Sequence, residues 1–163
     1  AAASQYGEWF TFWQQLATAG LIEGRYTGIA GSANRGRSIS ATNVPVSKLS
    51  NSQWFAAWDS SSGTAMFPVN LTRNNFRLGG AVGNSWPDGN ILKPEEMWNI
   101  DTKLDDGKPG LGSIMTLERD ALAAASAAGC SNGATAATDI AATSVYALDQ
   151  SGVNCTLIFK LGF

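Results

Sequence analysis

The sequence contains no histidine, only two cysteines and no long apolar run. Without histidine, the chain lacks the usual general base, the Ser-His and Cys-His nucleophile pairs and the imidazole ligands of most zinc sites. The remaining polar residues do not form a recognisable set of nucleophile, base and oxyanion donors, so we expect no enzymatic activity. No apolar stretch approaches the roughly 20 residues that a membrane-spanning helix needs.

Charge is low and nearly balanced, with 11 basic and 13 acidic residues and a net charge of −2. A strongly basic surface is absent, so nucleic acid is not an expected partner. A chain of 163 residues is the size of one domain. We therefore expect a single globular domain over residues 1–163, with a helix and linker at 1–28, a variable loop at 29–52 and a sheet region at 53–163.

The two cysteines, Cys130 and Cys155, do not form a CxxC pair, and no histidine could complete a metal site with them. In a cytosolic protein they would be two unrelated buried thiols. The favoured interpretation is a disulfide, which implies an oxidising compartment.

Aromatic residues near the N-terminus recur at helical spacing. The stripe consists of Tyr6, Trp9, Trp13, Leu16 and Gly20. It predicts an amphipathic helix that ends at the glycines 20 and 24. The stripe is expected to pack on the sheet of its own domain, and a further role in subunit packing stays open.

A second helix is predicted from residue 94 over about three turns. Pro94 suits its first turn, Glu95 and Glu96 favour the positive end of its dipole, and Gly107 and Pro109 stop it. Its packing residues are predicted to be Met97, Trp98, Ile100 and Leu104. Its polar side, with Asp101, Lys103 and Asp105, is expected to stay in water.

Strand-like patterns follow the loop at 29–52, where glycine, serine and asparagine dominate. Strands are predicted at 53–58, 64–67, 75–79, 112–118 and 156–161, and a short alanine-rich helix at 120–129. The first two strands would form a hairpin around a turn at 59–63. The summed prediction is an α+β fold, with the N-terminal helix packed on an antiparallel sheet of about four strands.

Three segments, 12–28, 91–110 and 152–163, resemble in this order the globular head of the type IV pilin-like family, which includes the pseudopilins of type II secretion systems. The first resembles the segment that joins the long pilin helix to the head. The second resembles the C-terminal half of the head, and the third resembles its closing disulfide-bonded strand. The chain lacks the hydrophobic N-terminal helix of full-length members, so we interpret it as a head domain without that helix.

The resemblance implies a structural subunit of a surface pilus or of a secretion pseudopilus, with no catalysis by this domain. Its partners would be further copies and related pilins, together with the inner-membrane assembly machinery and a prepilin peptidase. The full-length protein would be extracytoplasmic, anchored first in the inner membrane and later placed in a periplasmic or cell-surface filament.

Two alternatives stay open. Oxygen ligands of Asn99, Asp101, Asp105 and Asp106 beside a glycine turn could bind calcium, but Lys103, capping and the absence of EF-hand spacing favour no metal. The chain could instead be a secreted carbohydrate-binding or adhesive module that exposes Trp54, Trp58 and Trp86 in one row.

Overall fold

The computed structural model describes residues 7–31, 37–59, 68, 71, 73–83, 86–117, 129–132 and 140–162. In chain order the elements are α1 (Gly7–Thr18), β1 (Ser52–Asp59), β2 (Arg73–Gly80), α2 (Pro94–Leu104), β3 (Ile114–Leu117) and β4 (Thr156–Lys160). The fold is therefore α+β. The predicted strand 64–67, Tyr6 and all but the last residue of the predicted helix 120–129 lie outside the described residues.

The four strands form one antiparallel sheet in the order β1-β2-β4-β3. β1 pairs along its full length with β2, so the described partner of β1 is the strand at 73–80. Residues 60–63 of the predicted turn lie outside the described residues. β4, the last strand, lies between β2 and β3. The C-terminal segment is thus a central strand, and its pairing on both sides holds the sheet together.

α1 lies beside β1 at the edge of the sheet. Because side chains alternate along a strand and Phe76 is paired with Ala56, Phe55 and Phe76 lie on opposite faces. Trp9 contacts Phe55, with ring centroids 5.5 Å apart, whereas Trp13 contacts Phe76 at 5.8 Å. The helix therefore reaches both faces, and the prediction of a helix packed on the sheet is refined to a helix placed along its β1 edge.

In the described part of the segment between α1 and β1, buried Asn43 bonds three backbone groups. Its Oδ1 accepts from Ile39 N at 2.6 Å, and its Nδ2 donates to Ile29 O at 2.9 Å and Arg37 O at 3.0 Å. The end of the loop then runs antiparallel to the start of β1, where Trp54 N donates to Pro45 O at 2.9 Å. One amide side chain thus gives shape to a long irregular segment.

α2 packs by one side against the sheet and contacts β3. Glu96 Oε2 accepts from Lys93 N at 2.8 Å, which satisfies one donor at the start of the helix. Met97 is fully buried in a cluster with Leu78 of β2 and Leu157 of β4, two residues that are paired across the sheet. The two helices therefore pack into two different clusters, Met97 in this one and Phe10 and Trp13 of α1 in another.

Candidate assembly surface and the disulfide-closed region

The apolar stripe of α1 is largely used within the chain. Trp13 is buried, and Trp9 and Leu16 are half-buried in the same cluster. Trp9 also meets Trp86 edge to face, with centroids 5.9 Å apart. Such aromatic pairs add about 0.5–1.5 kcal/mol beyond their buried area. These aromatic contacts of Trp9 fix the start of α1 against the rest of the domain.

The packing side of α2 is rotated from the predicted one. Met97 is fully buried and Ile100 half-buried, but Leu104 is 65% exposed and Trp98 37% exposed. Leu104 therefore does not pack under the helix among the described residues, Trp98 does so only in part, and their role in assembly stays a prediction. Trp98 follows Met97 by one residue and so lies on a different side of α2, whereas Leu104 is the last residue of the helix. Asp101, four residues after Met97, shares the side of Met97 and is buried.

Asp101, expected to stay in water, is fully buried and bonded at both oxygens. Its Oδ2 accepts from the Tyr146 hydroxyl at 2.7 Å and its Oδ1 from Gly107 N at 3.0 Å. Gly107 has a φ of +71°, a left-handed conformation that favours glycine. The side chain therefore joins the end of α2 to the loop that carries Tyr146.

Burial raises the pKa of Asp101 from 3.8 to about 6, although the bonds from Tyr146 and Gly107 oppose the shift, and the charges of Asp106 and Asp105 add to it. Burial and then the charge of Asp101 raise the pKa of Tyr146 above its ordinary value. Two hydrogen bonds, one from a hydroxyl and one from an amide, compensate only part of the free-energy cost of burying a charged carboxylate, so its pKa stays above the ordinary value. The pair is thus sensitive to protonation near pH 6.

The neighbouring carboxylates have local backbone partners. Asp105 Oδ2 accepts from Ser113 N and, at 3.0 Å, from Ile114 N, which ties the end of α2 to the start of β3. Asp106 Oδ1 accepts from Lys108 N at 2.9 Å. One oxygen from each of Asp101, Asp105 and Asp106 lies within 4.8 Å of the others. Oxygen ligands of this kind suit calcium, but each carboxylate already has a structural role, and no metal is assigned.

The disulfide predicted between Cys130 and Cys155 is present, with Cα atoms 5.1 Å apart and both residues fully buried. Thr116 Oγ1 lies 3.2 Å from Cys130 Sγ and donates to Thr156 O at 2.9 Å. Cys155 also exchanges backbone bonds with Leu92, just before α2. The bond therefore fixes the segment around residue 130 to the start of β4, one of the two inner strands.

One buried ion pair was not predicted. Arg77 Nη1 of β2 lies 2.6 Å from Asp88 Oδ1, and both side chains are almost completely buried. Asp88 falls in a segment that the sequence predicts to be a loop, and no local spacing relates it to Arg77. The pair forms because the loop folds back over β2, where Gly80 and Gly89 exchange two backbone bonds.

The three tryptophans of the sugar-binding alternative do not form an exposed row. Trp54 is half-buried and contacts Phe159, with centroids 5.7 Å apart, and Trp86 is half-buried beside Trp9. Trp58 alone of the three is mainly exposed, at 57%. Aligned ring faces are what a sugar platform needs, and this arrangement does not supply them.

Two open depressions lie on the described surface. The larger, of about 690 Å³, runs between the loop before β1 and the residues around Gly80 and Val153, and its lining carries no charged side chain. The smaller, of about 350 Å³, is called here the Arg25 pocket. Its lining consists of Gln14, Ala17, Thr18, Gly24, Arg25 and Tyr26.

Comparisons with known proteins identify no relative: no family model, no curated protein and no solved structure matches the chain. Within the described ranges, neither helix has the length and apolar character needed to cross a membrane.

Proposed function

We propose that this chain is the head domain of a type IV pilin-like or pseudopilin subunit, with a structural role in a filament. The observation that carries the proposal is the docking of the aromatic helix α1 along β1, because a filament subunit needs its N-terminal helix fixed to its head. Trp9 and Phe10 hold Phe55, and Phe12 and Trp13 hold Phe76.

The closed C-terminal region supports the same proposal. The disulfide joins the segment around residue 130 to β4, an inner strand of the sheet and the last of the described strands. The two cysteines are 25 residues apart in sequence. In the chain-entropy estimate, a disulfide that closes a loop of this length adds roughly 3–4 kcal/mol to the free energy of unfolding. A subunit that stays folded outside the cytoplasm benefits from such a bond, because extracytoplasmic compartments are oxidising.

In this proposal the domain performs no chemistry. Its partners are other copies of itself and related pilins, and the full-length protein passes through a prepilin peptidase and an inner-membrane assembly machine. The exposed parts of Trp98 and Leu104 are then available for contacts between subunits.

The test is to locate the chain in the cells that encode it. An antiserum raised against the domain is used to probe filaments sheared from the cell surface, by immunoblot and by immunogold electron microscopy. A strain that lacks the gene is the control. We expect label along filaments or in an envelope-bound short filament that co-purifies with secretion proteins.

A different result would replace the proposal. Protein found only in the culture medium, without filament label, would argue against a subunit. If that protein also bound an insoluble polysaccharide and lost the binding on Trp58→Ser, the carbohydrate-binding alternative would take its place.

A further inference from the structure

We propose that Arg25 of one copy binds the surface formed by Trp98 and Asp106 of the next copy in the filament. This inference rests on the proposed function and names a contact between heads. It joins two different surfaces of the same chain, so it is a heterologous contact, the kind that generates an open helical assembly.

The donor side is Arg25, which is exposed in the Arg25 pocket at the end of α1. None of the described carboxylates forms an ion pair with it. Gln14 and Tyr26, which share the pocket, are bonded to backbone carbonyls at 3.2 Å and 3.0 Å and so hold its walls in place. Leu21, in the segment that leads to the pocket, is 71% exposed. Within the described residues, the Arg25 guanidinium thus has no carboxylate partner, and Leu21, four residues earlier in the chain, is exposed apolar surface.

The acceptor side lies at the C-terminal end of α2. Trp98 is 37% exposed, and its indole nitrogen lies beside the backbone of Gly107, the residue that follows Asp106. Asp106 is exposed and uses one carboxylate oxygen to accept from Lys108 N, which leaves the other oxygen for a partner. A partly exposed indole and an exposed carboxylate on the same helix end offer a guanidinium two kinds of contact, stacking and charge-assisted hydrogen bonds. Leu104 adds exposed apolar area on the same helix end.

The wider charge distribution favours this direction of contact. Residues 93–108 carry five acidic and three basic side chains, whereas the described residues between 19 and 48 carry one acidic and three basic ones. The two regions therefore attract each other between copies, which steers encounter and fixes register more than it raises affinity. The exposed pair alone contributes little, so the contact is weak and depends on repetition along a filament.

Charge exchange tests the contact directly. Concentration-dependent NMR shifts of the chain at about 1 mM protein and low salt report weak association, and the shifted residues should fall in both surfaces. Arg25→Glu and Asp106→Arg should each weaken self-association roughly fivefold, because each removes an exposed ion pair and places like charges together. Mixing the two variants should restore association. The conservative Arg25→Lys should give an intermediate affinity, since lysine cannot form the planar paired contact.

Three outcomes overturn the inference: no association of the unmodified chain at 1 mM, shifts confined to other surfaces, or two variants that stay dissociated when mixed. These outcomes leave the proposed function standing if the antiserum labels filaments. Conversely, absence from filaments refutes the proposed function even where the mixed variants associate. Far-ultraviolet circular dichroism of each variant shows that the fold is retained, and both substitutions lie at exposed positions.

Discussion

The buried carboxylate of Asp101 should make the stability of this domain fall as pH rises. Asp101 has no exposed surface and a pKa raised to about 6, whereas an unfolded chain has the ordinary value of 3.8. The folded state therefore binds this proton more tightly than the unfolded state. The stabilising contribution of the proton is fully present below about pH 3.8 and is lost as pH rises through about 6.

The perturbation that isolates this effect is Asp101→Asn. Asparagine keeps the shape, its Oδ1 can accept from Gly107 N, and its Nδ2 can donate to the Tyr146 oxygen. It does not ionise. Converted fully to free energy of unfolding, the pKa difference corresponds to at most about 3 kcal/mol. The neighbouring Asp105 and Asp106 are exposed, and screening by the water around them reduces the expected contribution to about 2 kcal/mol.

The assay is urea unfolding of both proteins at several pH values from 4 to 7.5. Other groups also titrate in this range, so the quantity of interest is the difference in free energy of unfolding between the variant and the unmodified chain. We expect this difference to shift by about 2 kcal/mol in favour of the variant as pH rises. Asp149→Asn makes the same chemical change at an exposed position and serves as the control.

Parallel curves for Asp101→Asn and the unmodified chain would refute the reasoning. They would mean that Asp101 titrates alike in the folded and unfolded states, and that the Tyr146 and Gly107 bonds fully compensate its burial. A shift of equal size in Asp149→Asn would also refute it, because the effect would then not depend on burial.

Three further changes test the packing, each by thermal or urea unfolding. Cys130→Ser should destabilise the domain by roughly 3–4 kcal/mol, and an unchanged melting temperature in non-reducing buffer would contradict the loop-closure argument. Arg77→Met should destabilise the domain by up to about 3–5 kcal/mol because it removes the guanidinium that neutralises the buried Asp88 carboxylate, whereas the double variant Arg77→Met, Asp88→Leu should cost less than Arg77→Met alone; a larger loss in the double variant would argue against this account. Gly79→Ala should cost more than about 2 kcal/mol because its Cβ would meet the carbonyl oxygen of Pro87, while Gly162→Ala, which meets nothing, should be neutral; equal effects would exclude the clash.

Local patterns determined much of this fold from the sequence alone. Four predicted strands overlap observed strands, and their bounds differ by at most two residues: those at 53–58, 75–79, 112–118 and 156–161. The helix that begins at Pro94 follows from proline at its first turn and acidic residues beside it. The disulfide followed from the cysteine count, because two cysteines allow one intrachain pair.

The spacing of residues along the sequence does not determine which of them are buried, and the tertiary structure decides this. On α2, Asp101 and Leu104 follow Met97 by four and seven residues, so helical spacing places both on its side, yet the aspartate is buried against Tyr146 and the leucine is 65% exposed. The pairing of Arg77 with Asp88 and the edge position of α1 likewise depend on contacts between segments distant in sequence. Helix and strand signals come from neighbouring residues, whereas burial, pKa shifts and the choice of exposed surface come from which segments meet in space.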